Sequence, residues 1–473
     1  MILEDITGKS VRAIDVFALS IKELKTHLLK ALETQGTKVK TSEVQWVLTV
    51  PAIWTENAKQ FMRKSAEMAS QTKAGIPQNR LLISLEPEAA SIYCQYLPTE
   101  KFNGIESGFS MTGVGTKYMV VDLGGGTADI TVHEKQIGDN LKELCRASGG
   151  DCGGTSVDKA FIQMLVKVFG APLIHGLKRD EPEAYLDLIR EFETVKRTVT
   201  PSKSGKISMA IPYATLDSLC RQHLGEDIRT SLSSSPYAKS MSLRGDKIRM
   251  DADLFRSIFN QTIHNLIQQV NEVLEKKEAR SVVQILLVGG FSECLLVQKA
   301  IKKEFSKCRV VVPKECDMVV LKGAVLFGHK PSFIASRITR FTYGIKIDKR
   351  FDDNIHDVKF KQVSDGKEYC KNVFDIIMKK DTHVIAGTTV KRQYCSNYKS
   401  KYAKLSVFVS EKVHPMYVIE EGCTLLGSVI IEVCDSSIKH NYDVELVFGN
   451  TELNIRVTDT DLGDNVEAKF DLI

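Results

Sequence analysis

The sequence predicts an α/β region followed by a β-rich domain, and three observations lead to this prediction. Up to about residue 330, short apolar runs typical of strands alternate with segments whose apolar residues recur at helical spacing. From Thr342 onward, the chain is rich in Thr, Val, Ser and Lys, with short alternating stretches separated by Gly, Asn and Asp. A length of 473 residues allows two or three domains with buried cores.

The elements of the α/β region follow from local signals. The β-branched run at residues 44–50 predicts a strand, and Thr55 is a suitable N-cap for a helix over 56–73 that ends before Gly75. The remaining predicted strands of this region are Leu81–Leu85, 118–122, 128–133 and Gln284–Val288, and the remaining helices are 158–169, 183–198 and 253–277. The clearest predicted strands of the β-rich domain are 404–409, 428–433 and 443–448.

Composition and charge exclude several classes of protein. With 43% hydrophobic and 26% charged residues, the chain is not disordered as a whole. Lys and Arg number 64 against 59 for Asp and Glu, so the net charge of +5 is too small a bias for nucleic acid or an anionic membrane as the main partner. No run approaches the ~18–20 apolar residues of a membrane span, and the first residues do not form a signal peptide. We therefore predict a cytoplasmic protein with no membrane span and reduced, scattered cysteines.

The sharpest chemical signal is a triple-glycine turn between two predicted strands. Gly124, Gly125 and Gly126 leave backbone N–H groups open to phosphate oxygens, because no side chain blocks the approach. Asp122 leaves the strand just before the turn, where it is placed to hold Mg²⁺ or its waters. Thr127 is placed to donate to a phosphate oxygen, and Asp129 to act on the water shell of the ion or on an attacking water. The alternative is a plain glycine hairpin.

Two further glycine loops follow strand-like segments. Gly289 and Gly290, before Phe291 and Ser292, would let a base or a ribose lie against the backbone, although strand–Gly-Gly–helix turns also serve packing. The loop at residues 148–155, which contains Gly153 and Gly154, enters a helix whose first N–H groups favour anions.

A charged triplet occupies one face of the helix predicted at 183–198. Glu193, Lys196 and Arg197 stand at positions i, i+3 and i+4, so they share a face opposite the apolar one. They form either a solvated salt-bridge cluster or a polar grip on an adenosine.

Taken together, these motifs resemble the nucleotide-binding domain of the 70 kDa heat-shock chaperones. The matching segments, in chain order, are 48–54 (Leu-Thr-Val-Pro-Ala-Ile-Trp), 85–90 (Leu-Glu-Pro-Glu-Ala-Ala), 122–129 (Asp-Leu-Gly-Gly-Gly-Thr-Ala-Asp), Gly153-Gly154, Glu193-x-x-Lys196-Arg197-Thr198, 253–256 (Asp-Leu-Phe-Arg) and 287–290 (Leu-Val-Gly-Gly). Segments 51–55, 290–293 and 341–345 resemble a divergent branch of the family.

The resemblance implies an actin-like ATPase (ribonuclease H-like) fold with two lobes and ATP and Mg²⁺ in the cleft between them. It assigns Asp122 and Asp129 to the ion and its water, residues 124–127 to the phosphates, and Glu86 to positioning the attacking water. Glu193, Lys196 and Arg197 would clasp the nucleoside above Gly290, Phe291 and Ser292. The implied domains are 1–116 (remainder of the first lobe), 117–330 (second lobe and the rest of the nucleotide-binding domain), 331–341 (linker) and 342–473 (β-rich, substrate-binding-like).

Departures from the family pattern lower the activity that we expect. The resemblance places Met1 part-way through the first lobe, so we expect the first phosphate hairpin and the catalytic lysine of the family to be missing and the domain to be N-terminally incomplete. Because phosphate positioning supplies most of the rate of phosphoryl transfer, we expect hydrolysis to be weak or absent. Glu293 replaces an arginine that stacks on adenine in typical members. Residues 336–340 replace the acidic, leucine-rich linker, which predicts weaker coupling between ATP and the last domain.

Three functions remain open at this point. The first is an ATP-binding, chaperone-like stress protein whose clients are unfolded or extended polypeptides. The second is a protein-interaction module that keeps the chaperone fold and uses no nucleotide. The third, a sugar or acetate kinase of the same superfamily, is disfavoured because those enzymes do not carry a C-terminal β domain of this kind.

Overall fold

A computed structural model describes residues 1–5, 7–69, 75–98, 102–103, 113–364, 366–395, 402–432, 440–461, 465–466 and 471–472. The helices within these ranges are α1 (Ala13–Thr34), α2 (Glu56–Glu67), α3 (Glu86–Cys94), α4 (Gly154–Phe169), α5 (Ala171–Asp180), α6 (Pro182–Lys196), α7 (Tyr213–Leu224), α8 (Ile228–Ser233), α9 (Ala252–Ser257), α10 (Asn260–Leu274), α11 (Leu295–Glu304) and α12 (Val319–His329).

The strands of the α/β region and its connection to the β-rich domain are β1 (Ile2–Glu4), β2 (Ser10–Arg12), β3 (Trp46–Val50), β4 (Leu81–Leu85), β5 (Phe102–Asn103), β6 (Lys117–Leu123), β7 (Ala128–Lys135), β8 (Leu141–Gly150), β9 (Lys206–Ala210), β10 (Met241–Arg244), β11 (Lys247–Asp251), β12 (Gln284–Val288), β13 (Arg309–Pro313) and β14 (Ile334–Ile338). Those of the β-rich domain are β15 (Thr342–Arg350), β16 (Lys361–Ser364), β17 (Lys367–Met378), β18 (His383–Ile385), β19 (Thr388–Cys395), β20 (Tyr402–Ser410), β21 (Cys423–Glu432), β22 (Asn441–Phe448), β23 (Asn454–Asp459), β24 (Asn465–Val466) and β25 (Asp471–Leu472).

A mixed sheet forms the centre of the α/β region, with the strand order β18-β14-β8-β7-β6-β12-β13-β5. Strands β6, β7 and β8 form an antiparallel meander, and β12 lies parallel to β6. Residues 118–123 of β6 are almost fully buried, because helices cover both faces of the sheet. One face packs on a core that includes the stacked rings of Phe161 and Phe192, and the other packs on α3.

A second, smaller sheet consists of β3 and β4 in parallel pairing. Helices α3 and α12 cross between this sheet and the central one, and they approach so closely that a Cβ on Gly323 of α12 would lie 1.7 Å from the carbonyl oxygen of Ala89 in α3. The two sheets are therefore joined through a tight helix–helix contact.

The β-rich domain contains two antiparallel sheets, with strand orders β16-β17-β15-β20-β21-β25 and β19-β22-β23-β24. Their apolar faces share one core, which includes Ile345, Val407, Val444 and Leu446. The turn between β22 and β23 contacts α2: Lys59 Nζ donates to the Thr451 carbonyl at 3.0 Å, and the Arg63 guanidinium pairs with the Glu452 carboxylate.

Most predicted elements are present, but two helices differ from their predictions. The helix predicted at 56–73 ends at Glu67, where the N–H of Ile76 donates to the Ala66 carbonyl. The part of this prediction that covers residues 70–73 lies outside the described residues. The helix predicted at 253–277 is divided into α9 and α10, because a tight turn at Ile258 and Phe259 buries both side chains in the core.

The predicted linker, residues 331–341, is largely a strand of the central sheet. Its β14 pairs in parallel with β8 and in antiparallel orientation with β18, which comes from the β-rich domain. Ile334 is fully buried, in keeping with the β-branched character of this segment. The central sheet therefore continues across the boundary between the two regions.

Within the described residues, no single helix is long and apolar enough to cross a membrane, and only the bent pair α4 and α5 passes such a test by combined length and composition. The apolar side chains of that pair, such as Phe161 and Leu173, lie in the core. Ten cysteines fall in the described ranges, and all ten are free thiols.

Candidate functional site

The triple-glycine turn is fixed by the helix that follows β8. The carbonyls of Gly124, Gly125 and Gly126 accept hydrogen bonds from the N–H groups of Gly154, Thr155 and Gly153, respectively, at 3.1, 2.7 and 3.2 Å. A Cβ on Gly153 would lie 2.5 Å from the Gly125 carbonyl oxygen, so this contact requires glycine. The N–H groups of Gly153, Gly154 and Thr155, at the start of α4, thus hold the triple-glycine turn in place.

This arrangement directs the amides of the turn away from α4. In a trans peptide, the carbonyl of one residue and the N–H of the next point in opposite directions. The N–H groups of Gly125, Gly126 and Thr127 therefore point to the open side, and no hydrogen bond within the described residues uses them. A Cβ on Gly125 or Gly126 would meet no atom within 4 Å, so glycine here leaves room for a ligand. The turn has the properties of an anion-binding nest.

Three carboxyl groups converge beside the turn. Burial, together with the Asp129 carboxylate, raises the pKa of Glu86 to about 7. Burial also raises the pKa of Asp122, and both Glu86 and Asp129 add to that effect. Asp122 and Asp129 are 5% and 1% exposed. A cation between these carboxylates would offset their mutual repulsion, and hard oxygen ligands beside an anion-binding nest suit Mg²⁺.

Asp129 has the most hydrogen bonds of the three. Its Oδ1 accepts the N–H of Ile53 at 3.0 Å, and its Oδ2 accepts the Thr127 hydroxyl at 2.9 Å. Burial raises the pKa of Asp129, while these two bonds and the nearby Arg340 oppose the rise. The hydroxyl of Thr127 thus orients Asp129, and its predicted hydrogen bond to a phosphate oxygen stays a prediction.

The second glycine turn lies against the first. Gly289 has a φ of +83°, and a Cβ there would lie 2.4 Å from Asp122 Oδ1, so both conformation and space require glycine. A Cβ on Gly290 would meet nothing within 4 Å, in agreement with a surface for a ligand. Ser292 is fully buried and its hydroxyl donates to the Val288 carbonyl at 2.5 Å, so its role is to close the turn.

The charged triplet on α6 is close to these loops but is tied to protein partners. Lys196 is 7% exposed, and its Nζ donates to Asp158 Oδ1 at 2.6 Å and to the Gly154 carbonyl at 3.2 Å. Glu193 pairs with both Lys196 and Arg197, and only Arg197 is well exposed. Gly154 also approaches the ring of Phe291. The structure thus brings together Gly154, Lys196 and Phe291, and it shows a salt-bridge network that is partly buried rather than solvated.

The contacts of two residues at this site were not predicted from the sequence. Asp158, in α4, anchors Lys196, and an acidic residue near a helix N-terminus was its only signal. Arg340 contacts the carbonyl of Ile53, and nothing in its local sequence indicates a contact with residues nearly three hundred positions earlier.

A buried charged layer lies below the carboxylates. Arg337 of β14 forms two hydrogen bonds of 2.7 Å with the Glu88 carboxylate of α3. Glu143 of β8 accepts the N–H of Ile338 at 2.9 Å, and burial raises its pKa to about 7. Burial lowers the pKa of the neighbouring His133 to about 4. Arg337 and Glu88 form the ion pair of this layer.

Replacing Glu143 by glutamine tests whether burial raises the pKa of this carboxyl group. Because its pKa is raised from 4.5 to about 7, the folded state holds this proton more tightly than the unfolded chain does. The resulting stability is complete below pH 4.5 and is lost as the pH rises through 7. Glutamine does not titrate, so the variant does not lose this stability as the pH rises. We therefore expect its free energy of unfolding, measured with urea, to rise by on the order of 2–3 kcal/mol relative to that of the wild type between pH 4.5 and pH 8. A stability difference that is constant over this range contradicts the assignment.

Comparison with known proteins agrees with this geometry. The profile of the family described as Hsp70 protein matches residues 3–355 of the chain. The chain belongs to the Hsp70 family, which confirms the predicted fold class, an actin-like ATPase fold followed by a β-rich region. Members of this family bind ATP or ADP with Mg²⁺ and bind polypeptide clients.

Comparison with individual relatives shows which branch of the family the chain resembles. The chain is 31% identical to heat shock 70 kDa protein 12A of Mus musculus, in an alignment that covers 98% of this chain and 76% of the relative. It is also 31% identical to heat shock 70 kDa protein 12B of Homo sapiens, covering 100% and 77%. Chaperone protein DnaK of Thermosipho africanus is 25% identical over 69% of this chain and 49% of the relative. The predicted resemblance to a divergent branch is thus confirmed, and that branch is the heat shock 70 kDa protein 12 group.

Proposed function

We propose that this chain binds an adenine nucleotide with Mg²⁺ at the triple-glycine turn and hydrolyses it slowly or not at all. One observation carries the proposal: the N–H groups of Gly125, Gly126 and Thr127 are directed to open space beside three crowded carboxyl groups. The turn would hold phosphate oxygens, and Asp122 with Asp129 would hold Mg²⁺ and its waters. The bound ion would neutralise the phosphates and the carboxylates together.

Family membership supports a chaperone-like role for the β-rich domain. We propose unfolded or extended polypeptides as its clients, in keeping with the polypeptide clients of the family. We propose slow hydrolysis because, among the residues of this sequence, segment 122–129 alone matches a phosphate hairpin of the family.

Thermal unfolding in the presence of nucleotide tests the proposal. A ligand present at about 100 times its Kd adds ~2.7 kcal/mol of stability, so saturating Mg²⁺-ADP is expected to raise the melting temperature by several degrees. Gly125→Asp is expected to abolish this shift, because a carboxylate in the nest repels phosphate. The variant is expected to fold normally, since its Cβ enters open space.

The matched control is Ser204→Asp, which adds the same charge at an exposed position that is not among the residues of the candidate site. It is expected to retain the full shift. If neither ADP nor ATP stabilises the wild type, the proposal is wrong and the nucleotide-independent interaction module takes its place.

A further inference from the structure

The turn at residues 51–54 lies between the metal-binding carboxylates and the segment that joins the two regions. On one side, the N–H of Ile53 donates to Asp129 Oδ1 at 3.0 Å. On the other side, the guanidinium of Arg340 donates to the carbonyl of Ile53 and, at 3.4 Å, to the carbonyl of Trp54. A single residue of the turn therefore separates Arg340 from Asp129.

Arg340 is held firmly enough to act through this turn. It follows β14, whose pairing with β8 and β18 fixes the backbone just before it. Its own carbonyl accepts a hydrogen bond from Arg146 at 3.4 Å, and its guanidinium carbon lies 5.4 Å from the ring centre of Phe341. The side chain is partly buried, so the two carbonyl contacts replace water that it has lost.

The chemistry of the contact suits an arginine. A planar guanidinium with several N–H donors can hold two successive carbonyls in one orientation, which a lysine ammonium does less well. Holding the Ile53 carbonyl fixes the plane of the Ile53–Trp54 peptide, whose N–H closes the turn by donating to the Pro51 carbonyl at 3.2 Å. Closing the turn positions Ile53 and its N–H, which donates to Asp129. The cation also lies close enough to the Asp129 carboxylate to lower its pKa, against the effect of burial.

We propose that Arg340 is a positioning residue of the nucleotide site, which holds the turn at 51–54 so that its amide orients the Asp129 carboxylate toward Mg²⁺. This inference rests on the proposed function, because it concerns the metal ion that accompanies the nucleotide. It assigns to the connecting segment a direct structural role in the site.

The experiment measures the affinity for ADP by calorimetry with Mg²⁺ and with EDTA, and the ratio of the two affinities reports the contribution of the ion. Arg340→Ala is expected to reduce this ratio about tenfold, the loss that corresponds to a hydrogen bond on a charged group, while the affinity in EDTA stays unchanged. Arg340→Lys is expected to lose less, and it replaces the alanine variant if that variant does not fold. Arg256→Ala is the matched control, because Arg256 also donates to a backbone carbonyl, that of Lys203, at a distance from the turn.

A double-mutant cycle separates positioning from a general structural effect. In an Asp129→Asn background, Arg340→Ala is expected to cause no further loss of the Mg²⁺ enhancement, because the route through Asp129 is already removed. Two results overturn the inference: an unchanged ratio in both Arg340 variants, or a full additional loss in the Asp129→Asn background. If the wild type binds no ADP in either buffer, the proposed function itself fails, and the two failures are thus distinguishable.

Discussion

Replacing Arg337 by methionine is expected to destabilise the chain by about 3–5 kcal/mol, because it leaves the Glu88 carboxylate buried without its cation. The two side chains are 11% and 2% exposed. Arg337 also donates to the Gly449 carbonyl and to the Thr451 hydroxyl, so the variant loses contacts with the β-rich domain as well. Urea unfolding measures the loss, and we expect the β-rich domain to become more accessible to protease.

A second substitution distinguishes the uncompensated charge from the lost packing. Glu88→Gln in the Arg337→Met background removes the buried charge, so the double variant is expected to recover part of the stability. The control is Arg456→Met, because Arg456 is 66% exposed and lies 3.5 Å from its partner Glu445, and a change below about 1 kcal/mol is expected. Equal losses in Arg456→Met and Arg337→Met would show that burial does not set the strength of the Arg337 pair.

Gly323→Ala is expected to have the second large effect. The new Cβ would lie 1.7 Å from the carbonyl oxygen of Ala89, a backbone atom that cannot move without shifting α3. Overpacking of this kind costs about 1–3 kcal/mol or more, and it exceeds the gain of up to ~1 kcal/mol from the helix propensity of alanine. Because α3 begins at Glu86, the shift is also expected to weaken Mg²⁺-ADP binding.

Gly328 provides a control in the same helix. A Cβ there would lie 2.7 Å from the Cγ2 atom of Val47, the end of a side chain that can change rotamer. Gly328→Ala is therefore expected to change the free energy of unfolding by less than about 1 kcal/mol. Thermal unfolding of both variants, with and without Mg²⁺-ADP, compares the stability lost at each position and the stabilisation by nucleotide. Equal destabilisation by the two substitutions would contradict the contact at Gly323.

Much of the fold could be predicted from the sequence, since its signals are local. The apolar runs that became β4 and β12 have the predicted bounds, and the triple-glycine turn lies between two strands as expected. The helix predicted at 253–277 was wrong in one respect, because its continuous helical periodicity conceals a break. The turn at Ile258 and Phe259 buries both side chains in the core, a tertiary effect with no local signal.

The candidate site was predicted only in part. Residue type and order identified the glycines and the carboxyl groups. They did not indicate which side chains of the site form hydrogen bonds or ion pairs with other protein groups. Thr127 orients Asp129, Ser292 closes its own turn, and Lys196 pairs with Asp158. The roles of these residues toward a nucleotide stay predictions, as does a cytoplasmic location.

By itself, the sequence determined the order of the elements, the glycines that leave room for a ligand and the membership of the Hsp70 family, because patterning and motifs depend on neighbouring residues. Three features were decided only by the tertiary structure. The first N–H groups of α4 donate to the triple-glycine turn, the predicted linker forms β14, and Arg340 reaches the turn at 51–54 beside Asp129. These contacts join residues that are far apart in the chain. Burial sets both the strength of the contacts and the pKa of the buried carboxyl groups, and it exists only once the chain has folded.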